Sequence, residues 1–165
     1  MTTIVSDATA MIVLAKLGRL ELLRHLFTGV VIPQTALGEI CAKTDHDATG
    51  WQDAFFTIMP DPLDSLQKHL ETILDRGKSA ALALAHSMGL PVLVDEKKGR
   101  SLARTLDIPV IGFAGVMLAL VRKGTIDAGT VAAILDEARA IGYRLSDRLL
   151  EELIEAGKGI LPSSG

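Results

Sequence analysis

The stretch PVLVDEKKGRSLARTLDIPVI, residues 91–111, reads as strand, acid, helix, strand. Pro91 to Val94 is a short apolar run and Asp95 follows it directly. Glu96 to about Leu106 is a charged helical pattern, and Pro109 to Ile111 is a second short apolar run. Two strands separated by one helix make a parallel pair joined by a right-handed crossover.

The same order recurs toward the N-terminus. TIVS, Thr3 to Ser6, is a β-branched run, followed by Asp7 and a helical stretch with Ile12, Leu14, Ala15 and Leu17. Gly18 breaks that pattern, and Leu20, Leu22, Leu23, Leu26 and Phe27 resume helical spacing until Gly29. Val30 to Ile32 reads as a strand stopped by Pro33, then Thr35, Leu37, Ile40 and Cys41 predict a helix that carries Glu39. Lys43 to Gly50 is polar and reads as a loop. Phe55 to Met59 predicts a strand ended by Pro60 and Pro62, and Leu63 to Leu74 an amphipathic helix. Ser79 is the expected N-cap of a further helix that closes just before Gly89.

Beyond residue 111 three helices are expected, starting near Phe113, Thr130 and Ser146, with breaks at Gly124, Gly142 and Gly157. The final LPSSG has the composition of a frayed tail. Strands alternating with helices predict an α/β fold of three layers, α/β/α, around a mainly parallel central sheet. Such sheets bind ligands beyond the carboxyl ends of their strands. Asp7 and Asp95 each follow an apolar strand directly, so the architecture brings both carboxylates to one edge.

Composition is consistent with this and narrows the class. A chain of 165 residues, 48% of them hydrophobic, fits one domain over 1–165 with a helical C-terminal extension from about 125 to 158. Cys41 is the sole cysteine, which excludes an internal disulfide and suits a reducing cytoplasmic setting. Asp7 and Lys16 interrupt the early apolar sequence, so no export leader is read, and the longest apolar run, Val110 to Val121, is too short to span a bilayer. A net charge of −3 argues against a surface coated with nucleic-acid-binding charge and leaves a local basic patch open.

Three segments, IVSDATAMIVLAKLGRLELLRHLFTGVVIPQTALGEI, LDRGKSAALALA and VLVDEKKGRSLARTLDIPVIGFAGVMLALVRKG, together resemble the PIN-domain nuclease superfamily. The similarity is to a bacterial and archaeal toxin-like branch, and the GYRLS stretch at Tyr143 extends it over nearly the whole chain. The resemblance implies a parallel sheet between helices and an acidic cluster that holds Mg²⁺ or Mn²⁺ for RNA phosphodiester hydrolysis. It assigns Asp7, Glu39 and Asp95 as catalytic and metal-holding acids, with Thr9 as the supporting hydroxyl. Hard oxygen ligands suit these ions, and a bound ion orients water and neutralises phosphate charge. Singly, Asp7 also reads as a helix cap and Glu39 as a solvated helix residue.

The chain departs from that pattern where relatives read roughly Gly-Glu-x-Glu-Ala. Here the residues are Gly77-Lys78-Ser79-Ala80-Ala81, so Ala80 stands in a metal-acid position and Lys78 reverses a charge. Lys78 is thus a candidate charge substitute. Asp75 and Glu96 are the nearby acids, read respectively as a turn residue and as the acidic start of a helix. Lys97, Lys98, Arg100 and Arg104 follow Asp95 and are candidate phosphate contacts, or simply a solvated charged face.

Two functions follow from the resemblance. One is a toxin-type ribonuclease, with RNA as substrate, an antitoxin protein or a second copy as partner, and no membrane role. The other is a catalytically impaired relative that binds RNA or a protein partner, because Ala80 and Lys78 replace site acids. His25, His46, His69 and His86 lack metal-binding spacing, and Gly112 with Gly115 is too short for a dinucleotide fingerprint. A receiver-like phosphorylation site is disfavoured, because SDATA holds one acid where receivers need paired acids in the first loop and a lysine after a late strand.

Overall fold

The computed structural model of the chain describes residues 1–44 and 48–143. The elements run β1 (Thr2–Ser6), α1 (Ala8–Lys16), β2 (Phe27–Pro33), α2 (Gln34–Lys43), β3 (Phe56–Met59), α3 (Ser65–Leu70), α4 (Arg76–Met88), β4 (Val92–Leu93), α5 (Lys97–Thr105), β5 (Val110–Ile111), α6 (Phe113–Arg122) and α7 (Ala128–Ala140). Every strand pairing is parallel, and the sheet order is β3-β2-β1-β4-β5. β1 is therefore central, and the direction of winding reverses between β1 and β4.

Alternation along the strands builds two separate cores. Ile4, Val30, Ile32 and Leu93 face α1, α2, α6 and α7, whereas Val5, Val31, Val92 and Val94 face α4 and α5. A period of two puts neighbouring residues on opposite faces, so strands buried on both sides are apolar without interruption. This is the expected three-layer α/β/α arrangement.

Several element boundaries differ from the sequence reading, each for a local reason. Leu20–His25 is a short 3₁₀ helix, because Gly18 turns at φ +67° and leaves too few residues before β2 for a second α-helix. β2 begins at Phe27, three residues earlier than expected, where it pairs with the start of β1. The polar segment after α2 contains a 3₁₀ turn at Ala48–Trp51. α3 is shorter than expected: Asp64 caps it by accepting from the Gln67 amide at 2.8 Å, and turns follow until α4 begins.

The N-cap expected at Ser79 is instead Asp75, whose Oδ1 accepts from the Lys78 amide at 2.9 Å. Ser79 lies within the helix and its hydroxyl donates back to the Asp75 carbonyl at 2.8 Å. The other end of α4 closes on Gly89 in the left-handed conformation, φ +65°, as expected. α7 starts two residues before Thr130, capped by Asp127, which accepts from the Thr130 amide at 2.7 Å. The helix expected near Ser146, the break at Gly157, the LPSSG tail and His46 lie outside the described residues.

One packing contact ties the sheet to the segment that follows Asp95. A Cβ placed on Gly99 in α5 would stand 2.7 Å from Val94 Cγ1, inside van der Waals contact with a stiff branched side chain. Alanine would gain about 1 kcal/mol in helix propensity, while overpacking costs about 1–3 kcal/mol. Gly99→Ala is therefore expected to lower the unfolding free energy by about 1 kcal/mol in urea titration; a stabilised variant would show that Val94 yields freely.

Candidate functional site

β1 and β4 end together. The Val5 amide donates to Pro91 at 2.9 Å and the Asp7 amide to Leu93 at 3.2 Å, which places Asp7 opposite Val94 and one step from Asp95. This is the crevice at the reversal of winding, where α/β sheets bind ligands. Asp7 is 1% exposed, yet neither carboxylate oxygen has a hydrogen-bond partner. It stands at the N-cap position of α1 in extended conformation, without a side-chain cap bond of normal geometry.

Burial pushes the Asp7 carboxyl up to about 7. The Lys78 ammonium opposes that shift, the Asp95 charge adds to it, the nearby Thr9 amide, outside normal hydrogen-bond geometry, lowers it, and Asp75 adds again. Asp7, Asp95, Asp75 and Lys78 thus form one electrostatic unit.

Asp95 is oriented from two sides. Its Oδ1 accepts from the Phe113 amide at 3.1 Å, at the start of α6. Arg100 Nη1 donates to the Asp95 carbonyl and lies 4.0 Å from Oδ1. A Cβ on Gly112 would stand 3.3 Å from both Asp95 Oδ1 and Arg100 Nη1, so a glycine there keeps this junction open. The Tyr143 hydroxyl is buried without a hydrogen bond of normal geometry. Burial first, and then the Asp95 charge, hold its pKa above the ordinary phenol value.

Glu39 approaches from α2 and pairs with Lys43 at 3.5 Å. A Cβ on Gly77 would meet Glu39 Oε2 at 3.3 Å and Asp75 Oδ1 at 3.6 Å, so both acids border the start of α4. The N-terminus of α2 is anchored by Asp61, which accepts from the Thr35 amide at 3.1 Å and from its hydroxyl. Thr9, Glu39 and Tyr143 line a cavity of about 220 Å³ whose cationic members are Lys16 and Lys43.

Lys78 reaches the site. Its Nζ lies 2.7 Å from Asp75 Oδ2 and 3.5 Å from Glu96 Oε2. Burial works against the ammonium, but the bond to Asp75 and the charges of Asp7, Asp75 and Glu96 outweigh it and raise its pKa. Ala80 is fully buried in α4 and offers no oxygen. Lys97, Lys98 and Arg104 are exposed, and Arg104 with Arg100 and Asp95 lines a second cavity of about 320 Å³.

Among the described residues no group of three His, Cys, Asp or Glu side chains forms a ready metal cage. Asp7 and Asp95 come together, while Glu39 stands at the neighbouring cavity. The two unpartnered Asp7 oxygens and this all-oxygen donor set nevertheless suit a hard divalent cation.

A family model described as PIN domain matches residues 3–158. The chain belongs to the PIN-domain family. No curated protein matches it. PIN domains share a nuclease-like fold, depend in general on divalent metal and act in general on RNA. Among the described residues, no helix is long and apolar enough to cross a membrane.

Three contributors had little signal in the sequence. Tyr143 sits in the GYRLS stretch without a motif role, Asp61 lies between two prolines, and Asp75 reads as an ordinary turn residue. The only clue that Asp75 caps a helix is its residue type, an aspartate just before an apolar helical run.

The raised Asp7 pKa fixes the sign of a stability effect. A carboxyl that titrates near 7 folded and near 3.8 unfolded favours folding below pH 4 and loses that contribution as pH rises through 7. Asn imitates the protonated form. With a chelator present, Asp7→Asn is expected to exceed wild type at pH 8 by on the order of 4 kcal/mol, with the gap closing toward pH 4. Equal stabilities at pH 8 would refute the burial argument.

Proposed function

We propose that this PIN-domain protein is a metal-dependent ribonuclease of toxin type. The observation that carries the reading is the Asp7 carboxylate, buried with both oxygens unpartnered at the reversal of the sheet, beside Asp95. Asp7, Asp95 and Glu39 would hold Mg²⁺ or Mn²⁺, with Thr9 in support. The ion would supply Lewis-acid stabilisation of phosphate charge.

Hydrolysis joins a water oxygen to phosphorus and breaks one P–O ester bond, and the departing sugar oxygen takes up a proton. Asp7 and Asp95, held rigidly by β1, β4 and the α6 amide, orient the water at the crevice. Lys97 and Arg104 attract the phosphates on either side, and Arg100, bound to the Asp95 carbonyl, keeps the acid in register. An antitoxin or second-copy partner is supported by the sequence resemblance to toxin-like relatives.

A second reading is favoured by one observation. The Lys78 ammonium is already ion-paired among these acids, which suits a relative that binds RNA or a protein partner without cleaving it.

Purified protein, single-stranded RNA and Mn²⁺ separate the two. Cleavage is expected, with a fall of at least about 100-fold in Asp7→Asn; cleavage that persists in that variant sinks the assignment. Arg104→Gln is expected to weaken RNA binding across sequences and to reduce the salt dependence by about one phosphate contact. An unchanged salt slope would remove Arg104 from the interface.

A further inference from the structure

Lys78 is in an unusual place for a cation. It lies in the first turn of α4, where the helix dipole disfavours positive charge, and no acidic residue occupies that turn. A lysine there ordinarily extends into water. This side chain folds back instead, keeping only 16% of its surface exposed, and bonds the cap residue of its own helix, Asp75. It also spans to Glu96, which follows Asp95 at the end of β4. Two separate chain segments therefore close on one ammonium.

The charge at this edge explains the arrangement. Five carboxylates, counted as ionised, border this edge: Asp7, Glu39, Asp75, Asp95 and Glu96. Three cations stand beside them, Lys43 on Glu39, Lys78 on Asp75 and Glu96, and Arg100 near Asp95. A formal charge of −2 remains, which one divalent ion neutralises. Ala80 adds no further oxygen. Asp7 keeps both oxygens free, so the ammonium leaves the innermost acid available while it satisfies the outer pair.

We propose that the Lys78 ammonium is a resident cation of the acidic site, held by Asp75 and Glu96, that restricts the site to a single divalent ion and presents a fixed positive charge to a bound phosphate. The proposal rests on the ribonuclease reading for its phosphate, but its cation binding is measured independently of cleavage.

Calorimetric titration of the full chain with Mn²⁺ provides the test. Wild type is expected to bind at most one ion. Lys78→Met and Lys78→Gln are expected to bind Mn²⁺ at least tenfold more tightly, because a fixed like charge has gone, while Lys78→Arg stays near wild type. Far-ultraviolet circular dichroism confirms folding, and Lys78→Gln serves if Lys78→Met does not fold. Two ions in wild type, unchanged or weaker Mn²⁺ binding in the neutral variants, or no Mn²⁺ binding by any of these proteins overturns the proposal. Tighter Mn²⁺ binding by the neutral variants in a chain that cleaves no RNA would sink the ribonuclease reading alone.

Discussion

A buried carboxylate with no hydrogen bond of normal geometry is costly, and Asp7 is such a group. The surrounding architecture makes its position unavoidable. β1 lies in the middle of the sheet with β2 on one side and β4 on the other, so a residue at its end is covered by neighbours on both flanks. α1 begins at once after Asp7, and α4 crosses the same edge with Lys78. The acid is deeply placed because it sits on the strand that every other layer covers. Continuous apolar faces on β1, β2 and β4 offset the cost by burying both sides of the sheet.

The rest of the site is built from short local devices hung on that frame. Asp95 needs Gly112 for clearance, the Phe113 amide for orientation and Arg100 to hold its backbone. Glu39 depends on the direction of α2, and that helix is tied at its first turn to Asp61. Lys78 depends on Asp75, which caps α4 and also receives the ammonium. Each device joins one side chain of the candidate site to a helix terminus, where backbone donors or acceptors are left over. The acidic edge is therefore tied at several separate points rather than by one extended network.

Much of this was legible in the sequence, and what was not has an identifiable cause. The alternation of apolar strands with helices announces the parallel sheet, and Asp7 and Asp95 mark its carboxyl edge, since both follow strands that could only be buried. Gly89 ends α4 where the pattern places it. The start of α4 was obscured because Asp75 and Ser79 both have capping chemistry, and only the fold shows that Asp75 takes the Lys78 amide. The 3₁₀ helix at Leu20–His25 keeps an apolar spacing that an α-helix also satisfies, so periodicity alone cannot separate them. Tyr143 and Asp61 act across long sequence separations, and no local pattern encodes which distant group they will meet.

That separation bears on what the site is for. Tyr143 packs its ring on Phe113 with centroids 5.0 Å apart, and thereby carries its hydroxyl in beside Asp95 and the cavity shared with Thr9 and Glu39. The site thus draws on residues from position 7 to position 143. Buried polar atoms without partners are uncommon in folded proteins, and each lowers stability. Here the oxygens of Asp7 and the hydroxyl of Tyr143, none with a hydrogen bond of normal geometry, gather at one edge. Packing alone would replace such groups with apolar ones. They lie where the sheet reverses direction, the crevice at which α/β sheets bind ligands.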